Sequence, residues 1–168
     1  MIVAKSLQEQ FLENGGAPIH VGKATVVQMD RVQIPVIADV TLEFIGDHIF
    51  VDNAVVLAIH DPGKIQLSDG NWVTAVKVWD DYGLPRKISH RVISEGHALM
   101  VYNKYRNHHS ASFVTEDNFT GNAGMIVTTI ASNRKRYECS SGGAQFNPRD
   151  LVFELEWNDV TSNKGSKL

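Results

Sequence analysis

The amino-acid sequence predicts a mainly β protein, an antiparallel β-sandwich or barrel with one short N-terminal helix. The first observation is a stretch from residue 32 to residue 45 that places an apolar side chain at every second position, which is typical of a strand with one buried face. The second is a series of short β-forming runs separated by turn-forming pairs, a spacing typical of antiparallel sheets. The third is that only the N-terminal stretch carries a helix signal.

The helix is predicted where Ser6-Leu7-Gln8-Glu9 has the form of a capping box. Leu7, Phe11 and Leu12 supply its apolar residues, and Gly15-Gly16 ends the run. We therefore expect a helix of about two turns.

Pro35 interrupts the strongest strand signal in the chain. Proline cannot donate a ladder hydrogen bond, so this segment is predicted to be either an edge strand or a strand broken near Pro35. The period of two places Val36, Val40, Leu42 and Phe44 on one face, which we expect to be buried.

Three further turn signals predict hairpins. Asp69-Gly70 is typical of a type I′ turn with both residues at positive φ. Glu95-Gly96 is expected to join two strands across which His90 and His97 face each other, and Ser132-Asn133 is expected to join a third pair. The remaining strands are predicted at residues 49–51, 54–60, 64–67, 71–79, 87–94, 97–102, 125–131, 134–139 and 151–157.

The chain is expected to form a single β-rich domain over residues 1–157, followed by a flexible polar tail over residues 158–168. Cys139 is the only cysteine, so no internal disulfide is possible and a structural thiol is expected. No apolar run is long enough to span a bilayer, which predicts a soluble protein, intracellular or in a virion, with no membrane partner. The terminal Ser166-Lys167-Leu168 matches a peroxisomal signal and is interpreted as coincidental.

Charge is distributed unevenly along the sequence. Acidic residues dominate from residue 1 to residue 84, and basic residues dominate from residue 86 to residue 136. One interpretation is a surface with an acidic side and a basic side, which would favour head-to-tail contacts between copies. The other is that strands from both halves interleave and their charges mix.

Catalytic motifs are absent from the sequence, and no catalytic residue or cofactor is predicted. Histidine and carboxylate side chains are ligands that suit zinc or iron. His48, Asp52, His60 and Asp61 are therefore weak metal candidates, although their spacing matches no known ligand signature.

Two segments combine positive charge with aromatic rings, at residues 102–109 and 134–137. Rings can stack on bases while Lys and Arg neutralise phosphates. The candidate nucleic-acid-binding residues are Tyr102, Lys104, Tyr105, Arg106, Arg134, Lys135, Arg136 and Tyr137.

The leading functional hypothesis is a non-enzymatic binding or assembly protein, such as a viral (phage) particle component that self-associates or docks to a partner protein. Residues 54–60 carry no charge and no proline, so they are the expected pairing edge unless they form a central strand. The alternatives are a nucleic-acid-binding protein that uses the two basic-aromatic segments, and a small metal-dependent or hydrolytic enzyme.

Overall fold

The computed structural model describes residues 4–161 and contains one helix and fourteen strands in that range. In chain order the elements are α1 (Leu7–Glu13), β1 (Ile19–Val21), β2 (Ala24–Val26), β3 (Asp30–Gln33), β4 (Ile37–Phe44), β5 (Asn53–Ala58), β6 (Gly63–Gln66), β7 (Trp72–Val73), β8 (Ala75–Trp79), β9 (Lys87–Ser94), β10 (Ala98–Ser110), β11 (Phe113–Asp117), β12 (Gly124–Ala131), β13 (Arg134–Ser140) and β14 (Leu151–Asp159).

Two of the three antiparallel sheets pack together as a sandwich, and the third is the two-stranded hairpin of β1 and β2. The large sheet has the order β12-β13-β14-β4-β9-β6-β7, and the small sheet has the order β11-β10-β5-β8, with β3 also pairing with β10. Each sheet begins and ends with a different strand, so the sandwich alternative is confirmed. Side chains from both sheets, such as Leu42 and Phe153 from the large one and Leu57 and Val101 from the small one, share one core.

The helix forms as its sequence predicts. Ser6 and Glu9 make a reciprocal capping box, and Leu7 and Phe11 are buried against Ile19 and Val26. The expected contribution of Leu12 to the apolar face is wrong, because its side chain is 74% exposed. Leu7 and Phe11 are four residues apart and share a face, whereas Leu12 lies five positions from Leu7 and points elsewhere.

Pro35 breaks the alternating segment into two strands that belong to different sheets. β3 pairs with β10 in the small sheet, while β4 lies between β14 and β9 in the large sheet. The predicted break near Pro35 is therefore confirmed; β4 is a central strand, whereas β3 pairs only with β10 and lies at an edge of the small sheet. Val40, Leu42 and Phe44 are buried as expected, but Val36 precedes β4 and is 37% exposed.

The chain changes sheet again at Glu95-Gly96, so the hairpin predicted there is wrong. β9 pairs with β4 and β6, whereas β10 pairs with β3, β5 and β11. His90 is buried within β9, and His97 lies outside the strands at a φ of 56°, so the two do not form a cross-strand pair.

Two predicted hairpins form. β12 pairs with β13 across Ser132-Asn133, and β6 pairs with β7 across Asp69-Gly70. In the second turn only Gly70 has a positive φ, so the type I′ geometry is wrong. The predicted strand 71–79 divides after Val73, because β8 pairs with β5 in the small sheet. Trp72, in the short strand β7, is 38% exposed.

Residues 54–60 do not form an edge. β5 lies between β10 and β8, and residues 54–59 are all buried. The central-strand alternative therefore describes residues 54–60, and the uncharged strand offers no edge for pairing. Residues 49–51, expected as a strand, form none.

Cys139 is fully buried in the core, and this burial raises the pKa of its thiol well above the ordinary value. β14 continues to Asp159, so the first two residues of the expected tail belong to a strand. Residues 162–168, including Ser166-Lys167-Leu168, lie outside the described residues. Within residues 4–161, no helix has the length and apolar character needed to cross a membrane.

Phe44→Ala should lower the free energy of unfolding by about 3–5 kcal/mol, because the ring is enclosed between the sheets and its removal leaves a cavity. Val36→Ala is the matched control and should change stability by less than about 1 kcal/mol, since Val36 is partly in solvent. Guanidinium unfolding followed by tryptophan fluorescence measures both. Equal effects of the two substitutions would contradict the register of β4.

Candidate functional site

The acidic and basic halves of the sequence neutralise each other within the fold. Arg91 of β9 binds Asp39 of β4 at 2.8 Å, and Lys135 of β13 binds Asp30 of β3 at 2.9 Å. The other ion pairs that join a base in residues 86–136 to an acid in residues 1–84 are Arg86–Asp80, Lys87–Glu43, Arg106–Asp52 and Arg106–Asp81. Mixing of the charges, the second interpretation, therefore describes the structure, and the head-to-tail contact loses its electrostatic basis.

The two basic-aromatic segments lie in different sheets, residues 102–109 in β10 and residues 134–137 in β13. Tyr105 and Tyr137 are buried at 2% and 0% exposure. The Tyr137 ring stacks on Phe153 with a centroid separation of 4.6 Å, and its hydroxyl donates to Asp30 at 2.8 Å. Burial and the Asp30 carboxylate raise the pKa of Tyr137 far above its ordinary value. A stacking role for these two rings is thus contradicted, since neither face is open to a base.

Two of the three remaining candidates on β10, Arg106 and Tyr102, also have internal partners. The Arg106 guanidinium lies 3.7 Å from the centroid of the Trp79 ring and donates to Asp81 at 2.9 Å. Tyr102 packs against Phe119 at a centroid separation of 5.2 Å. Lys104 is half-buried and has no ion pair within the described range.

Arg134 and Arg136 converge on one carboxylate, that of Glu154 on β14. Arg134 Nε donates to Oε2 at 2.7 Å, and Arg136 Nε donates to Oε1 at 2.8 Å. Burial alone would raise the pKa of Glu154, but the hydrogen bonds from the two guanidinium groups outweigh it and hold the pKa below its usual range. Both arginines are therefore engaged in a structural network.

The weak metal candidates separate into two groups. His48 and Asp52 precede β5, while His60 and Asp61 follow it, and a six-residue strand spans about 20 Å. The Asp52 carboxylate accepts from His108 Nε2 at 2.8 Å, and Asp61 pairs with Arg31 at 3.6 Å. Residues 4–161 contain no group of three or more His, Cys, Asp or Glu side chains arranged to hold a metal ion.

A cleft of about 620 Å³ lies where three loops meet residues 105–107 of β10. Its polar side chains bind one another. Ser141 Oγ donates to the amide oxygen of Asn53 at 2.6 Å, and Asp150 accepts from the Ser141 N–H at 3.0 Å. Burial raises the pKa of Asp150, and the hydrogen bonds that its carboxylate accepts from the Ser141 N–H and from Asn147 Nδ2 partly offset this. An amide oxygen is not a base, so Ser141 is not activated as a nucleophile.

The feature that stands out is the edge strand β12. It is eight residues long, GMIVTTIA, with no charge and no proline. Among the described strands, the other edges carry the usual blocks: β3 contains Asp30 and Arg31, β8 contains Lys77, β11 ends in Glu116-Asp117, and β1 and β7 are only three and two residues long. Residues 128–131 of β12 are exposed, with Ile130 at 48%.

The outer side of β12 is only partly paired. Met125 exchanges backbone hydrogen bonds of 2.9 and 2.8 Å with Val27. Because the direction of the backbone groups alternates along a strand, Val127 and Thr129 direct their N–H and C=O groups to the same outer side. No hydrogen bond from residues 4–161 satisfies these groups.

The helix and β2 cover only the start of β12. Leu7 and Val26 pack over Gly124, where a Cβ atom would lie 2.5 Å from Val26 Cγ1. The N-terminal segment thus covers the start of β12 and leaves residues 127–131 open. Sequence reasoning placed a strand at residues 125–131 but missed its edge position, although the absence of charge and proline was a usable signal.

No protein-family model matches the chain, and searches of curated proteins and of solved structures gave no match either.

Glu154→Gln should lower the free energy of unfolding at pH 7 by about 1–3 kcal/mol, because two charge-assisted hydrogen bonds are weakened. A carboxylate whose pKa is lowered by folding stabilises above its unfolded pKa of about 4.3 and loses that contribution as pH falls through the folded pKa. The difference between wild type and variant should therefore shrink below about pH 4.3.

The control is Glu156→Gln, since the side chain of Glu156 is 43% exposed and lies 4.0 Å from Arg134. We expect an effect within about 0.5 kcal/mol. Denaturant unfolding at a series of pH values tests both variants. A wild-type advantage over Glu154→Gln that persists unchanged at pH 3 would show that the carboxylate charge is not responsible.

Proposed function

We propose that this protein is a non-enzymatic assembly domain that pairs with a second copy of itself through the open part of β12. The observation that carries the proposal is the unblocked edge at residues 127–131, where the backbone groups of Val127 and Thr129 have no partner in the described chain. Edges of this kind are either blocked or used for pairing. The other edges of the described strands carry charged side chains or are at most three residues long.

A second copy suits this edge in geometry and in charge. Cα pairing in an antiparallel ladder is symmetric, so a two-fold axis near Thr129 would align residues 127–131 with the same segment of the copy. The contact would join two seven-stranded sheets into one and would stay clear of Val27. The strand is uncharged, so two copies meet without like-charge repulsion.

The pairing would also cover apolar surface. Ile126 packs against the cluster formed by Leu7, Phe11, Ile19 and Val26. Thr128 and Ile130 follow it on the outer face of β12, beyond the part that this cluster covers. Cross-strand contacts between β-branched side chains stabilise a ladder by several tenths of a kcal/mol each, on the order of 0.2–1 kcal/mol. Because the contact is short, we expect a weak dimer that forms at high concentration.

We extend the proposal to the setting that the sequence suggested, a component of a viral particle. An isologous dimer is closed by itself, and it becomes a building unit when a second contact links dimers into a shell or tube. The pairing of β12 is the part of this proposal that can be tested on the isolated chain.

Thr129→Lys should abolish dimerisation, because a lysine on each copy near the two-fold axis adds like charges to a contact that has none. Sedimentation equilibrium over a concentration series should show wild type moving from one copy toward two, while the variant remains at one copy throughout.

Val114→Lys is the matched control, since it places the same charge on the exposed edge strand β11 and should leave the association unchanged. Circular dichroism melting of both variants checks that the fold is retained. A wild-type chain that stays monomeric to millimolar concentration, or a Thr129→Lys variant that still dimerises, would contradict the proposal.

A further inference from the structure

A second cleft lies between the two sheets at the end farthest from β12, where β8 of the small sheet faces β9 and the β6–β7 turn of the large sheet. Its volume is about 330 Å³, within the range of small-molecule sites. The walls are mostly apolar and are formed by Leu67, Val76, Val78, Leu84, Pro85 and Ile88. The sandwich is open to solvent along this side because β8 and β7 are both end strands.

His90 forms part of this cleft and is 3% exposed. Its Nδ1 atom lies 2.9 Å from the carbonyl oxygen of Gln66. Its Nε2 atom is buried without a hydrogen-bond partner, and no other side-chain nitrogen or oxygen in residues 4–161 is in that position. Buried polar atoms without a partner are rare in native proteins and indicate a missing partner.

The contact with Gln66 determines the chemistry of the free nitrogen. A carbonyl oxygen only accepts hydrogen bonds, so Nδ1 must carry the proton. In the neutral imidazole Nε2 is then an acceptor, and its partner has to be a hydrogen-bond donor.

Water is a poor partner at this position. A buried water needs about three polar groups. Of the polar side chains along the cleft, Ser68 and Asp69 lie in the exposed turn, Lys77 pairs with Glu116, and the Trp79 ring lies against Arg106. The Asp69 carboxylate already accepts two hydrogen bonds from Asn71. A mostly apolar ligand with one hydrogen-bond donor would donate to Nε2 and at the same time cover the apolar walls.

We propose that the cleft between β8 and β9 binds a small hydroxyl-bearing aromatic molecule, with its ring against Val76, Val78 and Ile88 and its hydroxyl donating to His90 Nε2. Nε2 is enclosed, so the β6–β7 turn has to move outward to admit the ligand. The backbone hydrogen bonds of the turn stay inside it, from the Leu67 N–H to the Asn71 carbonyl and from the Gly70 N–H to the Leu67 carbonyl, so the turn can move without breaking backbone bonds to the rest of the sheet.

Phenol and anisole are the test probes, since they differ only in whether the oxygen can donate a hydrogen bond. Titration of the ¹⁵N-labelled full chain should show saturable shifts at the amides of Ser68, Val78 and Ile88. Phenol should bind roughly five- to tenfold more tightly than anisole, the value of one net hydrogen bond. The His90 ¹⁵Nε2 resonance should move from the position of a free acceptor on phenol binding and should not move with anisole.

His90→Phe should remove the preference for phenol, and His20→Phe, at an exposed histidine of β1, should keep it. Because His90→Phe also removes the contact with Gln66, Val76→Phe is a second variant that fills the cleft and retains His90. It should abolish binding of both probes while the His90 Nε2 resonance stays that of a free acceptor.

Equal affinity for phenol and anisole, or no saturable shift with either, would overturn the proposal. A His90 Nε2 resonance that already reports a hydrogen bond in the free protein would also overturn it, because a bound water would then be the partner. None of these results depends on self-association, since β12 lies at the other end of the large sheet and can be blocked by Thr129→Lys in the same samples.

Discussion

The sandwich depends on the places where the chain crosses from one sheet to the other. Each crossing removes backbone groups from a ladder, and those groups need other partners if they are buried. Two crossings, at Pro35 and at residues 95–97, lie side by side and supply partners to each other. Ile34 donates to the His97 carbonyl and Ser94 donates to the Val36 carbonyl, both at 2.8 Å. These bonds allow β3 and β10 to enter one sheet while β4 and β9 form the centre of the other.

Interleaving of the strands has a direct electrostatic consequence. Acidic strands from the first half of the chain become neighbours of basic strands from the second half, as in the pairing of β4 with β9. Arg91 and Asp39 then face each other across the ladder, and Lys135 reaches Asp30 from the opposite sheet. Most of the basic residues between 86 and 136 form ion pairs within the fold, so backbone edges and apolar side chains define the surface available for contacts more than net charge does.

The two ends of the large sheet differ, and the proposed functions follow from that difference. At one end β12 is long, uncharged and open beyond Met125, which favours addition of another strand. At the other end β7 is too short to extend the sheet, and the space it leaves uncovered beside β8 becomes a cleft that contains His90. One end therefore offers hydrogen bonds along a strand, and the other offers a single acceptor within apolar walls.

The sequence alone determined the features that depend on neighbouring residues: the capping box at Ser6, the break at Pro35, the buried face of β4 and the hairpin at Ser132-Asn133. Periodicity and turn chemistry act over a few residues, so they can be read without knowledge of the fold. Tertiary structure decided which strands became neighbours, and with them the central position of β5, the burial of Tyr137 and the unpaired Nε2 of His90. A strand signal has the same form at the centre of a sheet and at its edge, because the difference lies in partners that are distant in the chain.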